Sequence, residues 1–265
     1  MKLEVSCDLT FDIQTTTPFI LMLRPRSGAQ QWVAREEFTV VPEVQVHQFT
    51  DGFGNYCQRL LAPPGRFSIH TSAAVYTAER MDREEGAPFV EVQNLPDDVL
   101  QYLLPSRYCE VEHFGSLASS ITEGLTLGYD QVSAIERWIR NEIHYSYGNS
   151  DATASADAVF ARKSGVCRDF AHLGIALCRS LAIPARIVVG YRHALEPMDM
   201  HAWFEAYVAD RWYTFDATQQ DLKSGYVMLG IGRDAADVAV YNQFGPPLYP
   251  VSQHIRVERI RESSQ

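Results

Sequence analysis

A thiol, an imidazole and a carboxylate occur in this sequence in settings suited to acyl-transfer chemistry. Cys167 sits in Ser164-Gly165-Val166-Cys167-Arg168-Asp169-Phe170-Ala171-His172, where turn residues give way to apolar positions at Phe170, Leu173, Gly174, Leu177, Cys178 and Leu181. That spacing marks one face of an α-helix and predicts a helix over about 166–181, stopped by Ala182-Ile183-Pro184. Cys167 then falls in the first turn, where unsatisfied backbone N–H groups and the positive end of the dipole favour a thiolate over a thiol. Arg162, Lys163 and Arg168 add positive charge nearby. Such a thiolate can attack a carbonyl if a base reaches it.

The base and its orienting group are sought downstream. Residues 200–208 read as a strand rich in aromatic side chains, and 212–216 as the strand returning from a turn at Ala209-Asp210. A two-residue turn puts His201 opposite Thr218 and one diagonal step from Asp216 on the same face. A one-residue slip would put them on opposite faces. In the aligned register His201 is a proton shuttle and Asp216 fixes its tautomer.

Four fragments carry a resemblance when taken in order. They are Gly165-Val166-Cys167-Arg168-Asp169-Phe170-Ala171-His172, Leu181-Ala182-Ile183-Pro184-Ala185-Arg186 through Gly190-Tyr191, His201-Ala202-Trp203, and Phe215-Asp216-Ala217-Thr218. Together they resemble the bacterial transglutaminase-like family, most closely over 117–218 and more loosely over the whole chain. Family members more often carry Asp-Pro-Thr at the last fragment, a departure that alters a turn but keeps the acid. The resemblance implies an α+β, papain-like core of helices packed on an antiparallel sheet, with cysteine on a helix and histidine and aspartate on strands. It also implies an amino-terminal β-domain. No cofactor is expected. The zinc-binding cysteine pairs of the related peptide-glycanase type are absent from the sequence, and no acidic loop has calcium-ligand spacing.

The whole chain sets limits. Its 265 residues, 46% hydrophobic and 21% charged, suit a globular protein with a sizeable core in one large or two medium domains. A net charge of −10 argues against a general nucleic-acid or anionic-membrane surface. No apolar run reaches the ~18–20 residues of a membrane span. The first residues lack an apolar signal core, so a cytoplasmic protein with reduced thiols is expected. Cys7, Cys57, Cys109, Cys167 and Cys178 are odd in number and show no disulfide framework. Cys167, His172 and Cys178 make a poor metal set, because residues five apart on a helix point in different directions.

Residues 1–105 read as an antiparallel sandwich or barrel. Strands are expected at 4–11, 19–23, 37–41, 43–47, 56–61, 67–70 and 73–76, with turns at Asp51-Gly52-Phe53-Gly54-Asn55 and Pro63-Pro64-Gly65. The boundary is placed near Pro105. Residues 106–265 should hold the core: helices at 114–122, 129–143 and 156–162, the last capped by Ser155, then a buried strand at Ile187-Val188-Val189. A last strand at 251–260 is expected to close the sheet. Residues 193–199, which include Pro197, are expected to form a mobile lid beside His201.

The expected reaction is attack of Cys167 on an amide, with His201 returning the proton to the departing amine and Asp216 stabilising the imidazolium. The backbone N–H of Cys167 is one oxyanion donor, and Tyr147 is the candidate for the second. Trp203 walls the substrate site. The partner is a peptide or protein amide, with no nucleic acid and no membrane. Hydrolysis, as by a peptidase or amidase, is the first expectation, since water is always available. Protein-glutamine transglutamination comes second. A non-catalytic binding module that keeps the fold is the reading from another class.

Overall fold

The period-two pattern of the first strand decides the amino-terminal architecture. Leu3, Val5, Cys7, Leu9, Phe11 and Ile13 are all buried, and the residues between them face outward. The structure, a computed structural model, describes residues 1–28, 30–146, 154–220 and 224–260. Six strands come first: β1 (Lys2–Ile13), β2 (Thr17–Leu21), β3 (Gln31–Val41), β4 (Val46–Thr50), β5 (Tyr56–Ala62) and β6 (Gly65–Thr77). Next come α1 (Gly115–Ile121), α2 (Tyr129–Glu142), β7 (His144–Tyr145), α3 (Ala156–Arg162), β8 (Ser164–Gly165) and α4 (Cys167–Ser180). The chain then forms β9 (Ala185–Arg192), β10 (His201–Val208), β11 (Arg211–Phe215), β12 (Tyr226–Gly232), β13 (Tyr241–Gln243) and β14 (Ser252–Arg259).

The amino-terminal strands form two four-stranded sheets, ordered β14-β1-β6-β3 and β13-β2-β5-β4. Their inner faces share one core that includes Leu9, Phe11, Phe19, Leu21, Phe67 and Ile69, so the β-domain is a sandwich. Asp51 makes the β4–β5 hairpin turn: its Oδ1 accepts the N–H groups of Phe53 (2.9 Å) and Asn55 (2.8 Å). The Pro63-Pro64 turn carries the chain from one sheet to the other.

Three strand expectations need correction. The strands expected at 67–70 and 73–76 are one strand, β6, because Thr71 and Ser72 continue the ladder and Thr71 Oγ1 donates to the Leu23 carbonyl at 3.1 Å. The strand expected at 43–47 starts later, as β4. The strand expected at 251–260 does form, as β14, but it pairs antiparallel with β1 in the sandwich rather than closing the core sheet.

The core sheet is antiparallel in the order β11-β10-β9-β12, with α4 packed on it and α1, α2 and α3 packed against α4. The α4 stretch from Asp169 to Arg179 is buried throughout. The apolar residues of α2 at Val132, Ile135 and Ile139 are fully buried against the same core, as their spacing predicts. Ser155 occupies the position before α3 in extended conformation, but its side chain makes no capping bond. The 193–199 segment is fastened at its far end: Met198 and Met200 pack on the sandwich core, and Asp199 Oδ1 accepts from Gln253 Nε2 at 2.7 Å. That end is part of the domain contact rather than a free flap. Among the described residues, no helix is long and apolar enough to cross a membrane.

Candidate active site

The entrance to α4 sets Cys167, partly exposed, at the first position of the helix. Lys163 ends α3 in the left-handed conformation (φ 55°), and β8 follows at once, paired parallel with β7. Val166 is extended, and the helix begins at Cys167. Asp169 in the first turn is fully buried; its Oδ2 accepts the Val166 N–H at 3.1 Å and Arg162 at 2.8 Å. A carboxylate there satisfies an orphan helix donor and complements the dipole. Gly165 is required by the close approach, since a Cβ there would stand 2.6 Å from that of Asp169.

The charge expected around Cys167 is distributed differently. Arg162 and Arg168 both bond to Asp169, and Lys163 Nζ lies over the Phe160 ring at 3.8 Å. Asp169 therefore cancels one of the two arginine charges, and the net positive charge left there adds to that of the helix terminus. Of the five thiols only Cys167 is not buried, and all five are free. Burial pushes the Cys7 and Cys109 thiols up to about 12 and Cys57 to about 11, and raises Cys178 as well.

The hairpin brings the other two groups together. Ala209 and Asp210 adopt positive φ (47° and 60°), forming a two-residue turn, and the ladder runs from Val208↔Arg211 to Phe204↔Phe215. That is the register expected from the sequence. Extending it puts His201 opposite Thr218, and His201 Nε2 lies 2.6 Å from Asp216 Oδ2. Both side chains are only 2% exposed. The Cys167 side chain lies beside His201 and adds to the rise in its pKa. With Nε2 committed to Asp216, Nδ1 is the ring nitrogen left for the sulfur. Burial pulls the imidazole pKa down, but the Asp216 charge and hydrogen bond, with the Cys167 contact, outweigh it and push it up to about 10.

Asp216 stays ionised although it is buried. Burial alone would raise its pKa, but His201, Thr218 and Tyr226 together hold it below the usual carboxylate range. Thr218 donates to Oδ1 from its N–H (3.0 Å) and its hydroxyl (2.7 Å), while Tyr226 donates to Oδ2 at 2.9 Å. Behind the acid, the Asp216 N–H donates to Glu136 Oε1 at 3.0 Å. Tyr226 and Glu136 were not singled out in the sequence. Glu136 did leave a signal: it falls four residues after Val132 and three before Ile139, an acid inside an apolar stripe.

Trp203, placed beside the site by the sequence, is 2% exposed, stacks on His201 and meets Tyr226 at a tilt. Its ring centroid is 6.1 Å from that of His201 and 4.9 Å from that of Tyr226. With Tyr226, Trp212 and Met81 it lines a cleft of about 320 Å³ at the sandwich contact. Tyr147 lies outside the described residues. His172, one turn along α4, accepts the Ala235 N–H on Nε2 at 3.1 Å and stacks on Tyr108, which is a packing role. Tyr191 and Arg186 support the fold: Tyr191 is buried in the sandwich contact, and Arg186 pairs with buried Glu205 at 2.6 Å.

Residues 115–217 match the transglutaminase-like superfamily core, and residues 13–75 match the bacterial transglutaminase-like N-terminal region. A crystal structure from Cytophaga hutchinsonii, described as a "putative cysteine protease", is 36% identical. It superposes with a TM-score of 0.91, covering 100% of this chain and 92% of its own. An uncharacterized protein of Mycobacterium leprae is 27% identical over 236 residues, 82% of each chain. An uncharacterized protein of Mycobacterium tuberculosis strain H37Rv is 30% identical over 115 residues, 38% of this chain and 37% of its own.

Proposed function

This chain belongs to the bacterial transglutaminase-like family, and on that premise we propose that it is a peptidase or amidase working through a Cys167-His201-Asp216 triad. The observation that carries the reading is the buried contact of His201 with Asp216 at 2.6 Å, with Cys167 as the other partner of the same ring. A histidine whose pKa is raised, beside a partly exposed cysteine at a helix start, sets a proton-transfer group against a nucleophile.

In the proposed cycle the thiolate sulfur bonds to the amide carbonyl carbon, and the carbonyl π pair moves onto oxygen. The Cys167 backbone N–H at the helix start stabilises that oxyanion. Collapse breaks the C–N bond as His201 gives its proton to the departing amine, leaving a thioester. Water then attacks, His201 takes a water proton, and the acid leaves as sulfur returns to thiolate. Asp216 holds the ring throughout and remains ionised. Trp203 would shield one face of His201 and edge the substrate path. The name of the Cytophaga hutchinsonii relative supports hydrolysis over transfer to an amine.

Incubation of wild type and Cys167→Ala with a peptide-amide library, read by mass spectrometry, tests this. New carboxylates with wild type alone are the expected result. Isopeptide products on adding an amine, without hydrolysis in its absence, would favour transglutamination. No product of either kind, from a Cys167 that labels no faster than a free thiol, would leave the binding-module reading.

A further inference from the structure

Asp216 is the first residue past the end of the β10–β11 ladder, whose last pair is Phe204↔Phe215. Its own peptide groups are therefore not held by the sheet. The N–H is held by α2, and the carbonyl by α2 together with the turn that follows, where the Gln219 N–H donates to it at 3.2 Å. The Asp216 N–H donates to Glu136 Oε1 at 3.0 Å, and Arg140 Nη2 donates to the Asp216 carbonyl at 3.3 Å. Arg140 Nη2 also pairs with Glu136 Oε1 at 3.0 Å, so one ion pair spaced i, i+4 grips both sides of one residue. Arg83 approaches the other Glu136 oxygen at 3.7 Å.

Keeping a carboxylate in this place is costly. The Glu136 side chain is 4% exposed. Burial raises its pKa, Arg140, Arg83 and the Asp216 N–H pull it back, and the nearby Asp216 charge adds to the rise. Helix packing alone would be served by an apolar residue at this position.

We propose that Glu136 and Arg140 are positioning residues that fix the Asp216 backbone, and through it the orientation of His201. The Asp216 carboxylate then needs no rearrangement to meet His201, because its main chain is anchored to a helix on one side and its side chain is saturated by Thr218 and Tyr226 on the other. This rests on the proposed role of Asp216 as the acid that orients His201.

The charged or titratable groups around the pair are Cys167, Tyr226, Glu136 and Arg140, with Arg192 beyond the Tyr226 ring at 5.7 Å. The His201 imidazole would be titrated by NMR in wild type, Glu136→Gln, Glu136→Ala and Arg140→Met, with thermal melts for folding and kcat/KM against pH alongside. Glu136→Ala should lower the His201 midpoint by about one pH unit, and Glu136→Gln, which keeps an acceptor oxygen, should restore most of it. Arg140→Met separates position from charge. Loss of a cation alone would raise the imidazole midpoint, whereas loss of the carbonyl anchor lowers it. A midpoint that rises or stays in Arg140→Met overturns the proposal, as does a Gln variant that falls as far as Ala. If Glu136→Ala does not fold, the other two variants decide. The titration needs no substrate, so absence of turnover in wild type would sink the proposed activity without touching this result.

Discussion

Tyr226 donates its hydroxyl to Oδ2 of Asp216 at 2.9 Å, the same oxygen that meets His201. The phenol comes from β12, at the far side of β9 from the hairpin that carries His201 and Asp216. The acid thus has donors from three segments, and no single strand sets its position. Removing the hydroxyl in Tyr226→Phe deletes one charge-assisted bond while keeping the ring against Trp203. A bond of that kind contributes about 1.5 kcal/mol or more, so kcat/KM should fall about tenfold with little change in fold. Steady-state kinetics on a cleaved peptide amide checks this; an unchanged kcat/KM would show that Thr218 and His201 suffice.

The His201–Asp216 pair should also shape stability against pH. His201 has its folded pKa raised to about 10, so its contribution is complete below the ordinary imidazole value of about 6.5 and is lost as pH rises through about 10. Asp216 has its folded pKa lowered, so its contribution is present above the ordinary value of about 3.9 and is lost as pH falls through the depressed one. Wild type should therefore melt furthest above Asp216→Asn at about pH 4–6.5, with the gap closing towards pH 10. Melting curves at fixed ionic strength measure it, and a gap that widens on the alkaline side would contradict the assignment.

Thiol chemistry should single out one cysteine. The other four are buried, and burial raises each of their pKa values. Iodoacetamide at pH 6 should label Cys167 alone, as read by peptide mass spectrometry. His201→Ala should slow that labelling at least about tenfold, because the imidazolium partner is gone. Equal labelling of Cys57 or Cys109 in the folded protein would show that Cys167 is not activated.

Much of this site was legible because its parts are local. The Ala209-Asp210 turn fixes a two-residue hairpin, and the hairpin fixes the His201 register; the α4 start follows from Ser164-Gly165 and the apolar spacing after it. What escaped depends on contacts between segments far apart in sequence. Tyr226 reaches Asp216 only because β12 pairs with β9, and nothing local marks that pairing. Glu136 lies 80 residues before the peptide it holds. The carboxy-terminal strand was placed by type but not by partner, since an alternating segment such as 252–259 fits any open sheet edge, and β1 offered one. Lys163 is close to the sulfur in sequence, yet its ammonium lies over the Phe160 and Trp138 rings.

The packing under the site gives the last prediction. Gly174, two turns along α4 from Cys167, faces the Phe204 ring so closely that an added Cβ would stand 2.6–2.9 Å from three of its atoms. Phe204 is 1% exposed and stacks on Phe215 at 5.6 Å, and Phe215 directly precedes Asp216. Gly174→Ala gains about 1 kcal/mol of helix propensity, but overpacking a filled core costs about 1–3 kcal/mol. The net expectation is a loss of about 1 kcal/mol, seen as a lower urea midpoint at unchanged slope. Because the displaced stack leads to Asp216, activity should fall further than the unfolded fraction explains. A variant as stable and as active as wild type would show that the ring turns aside at no cost.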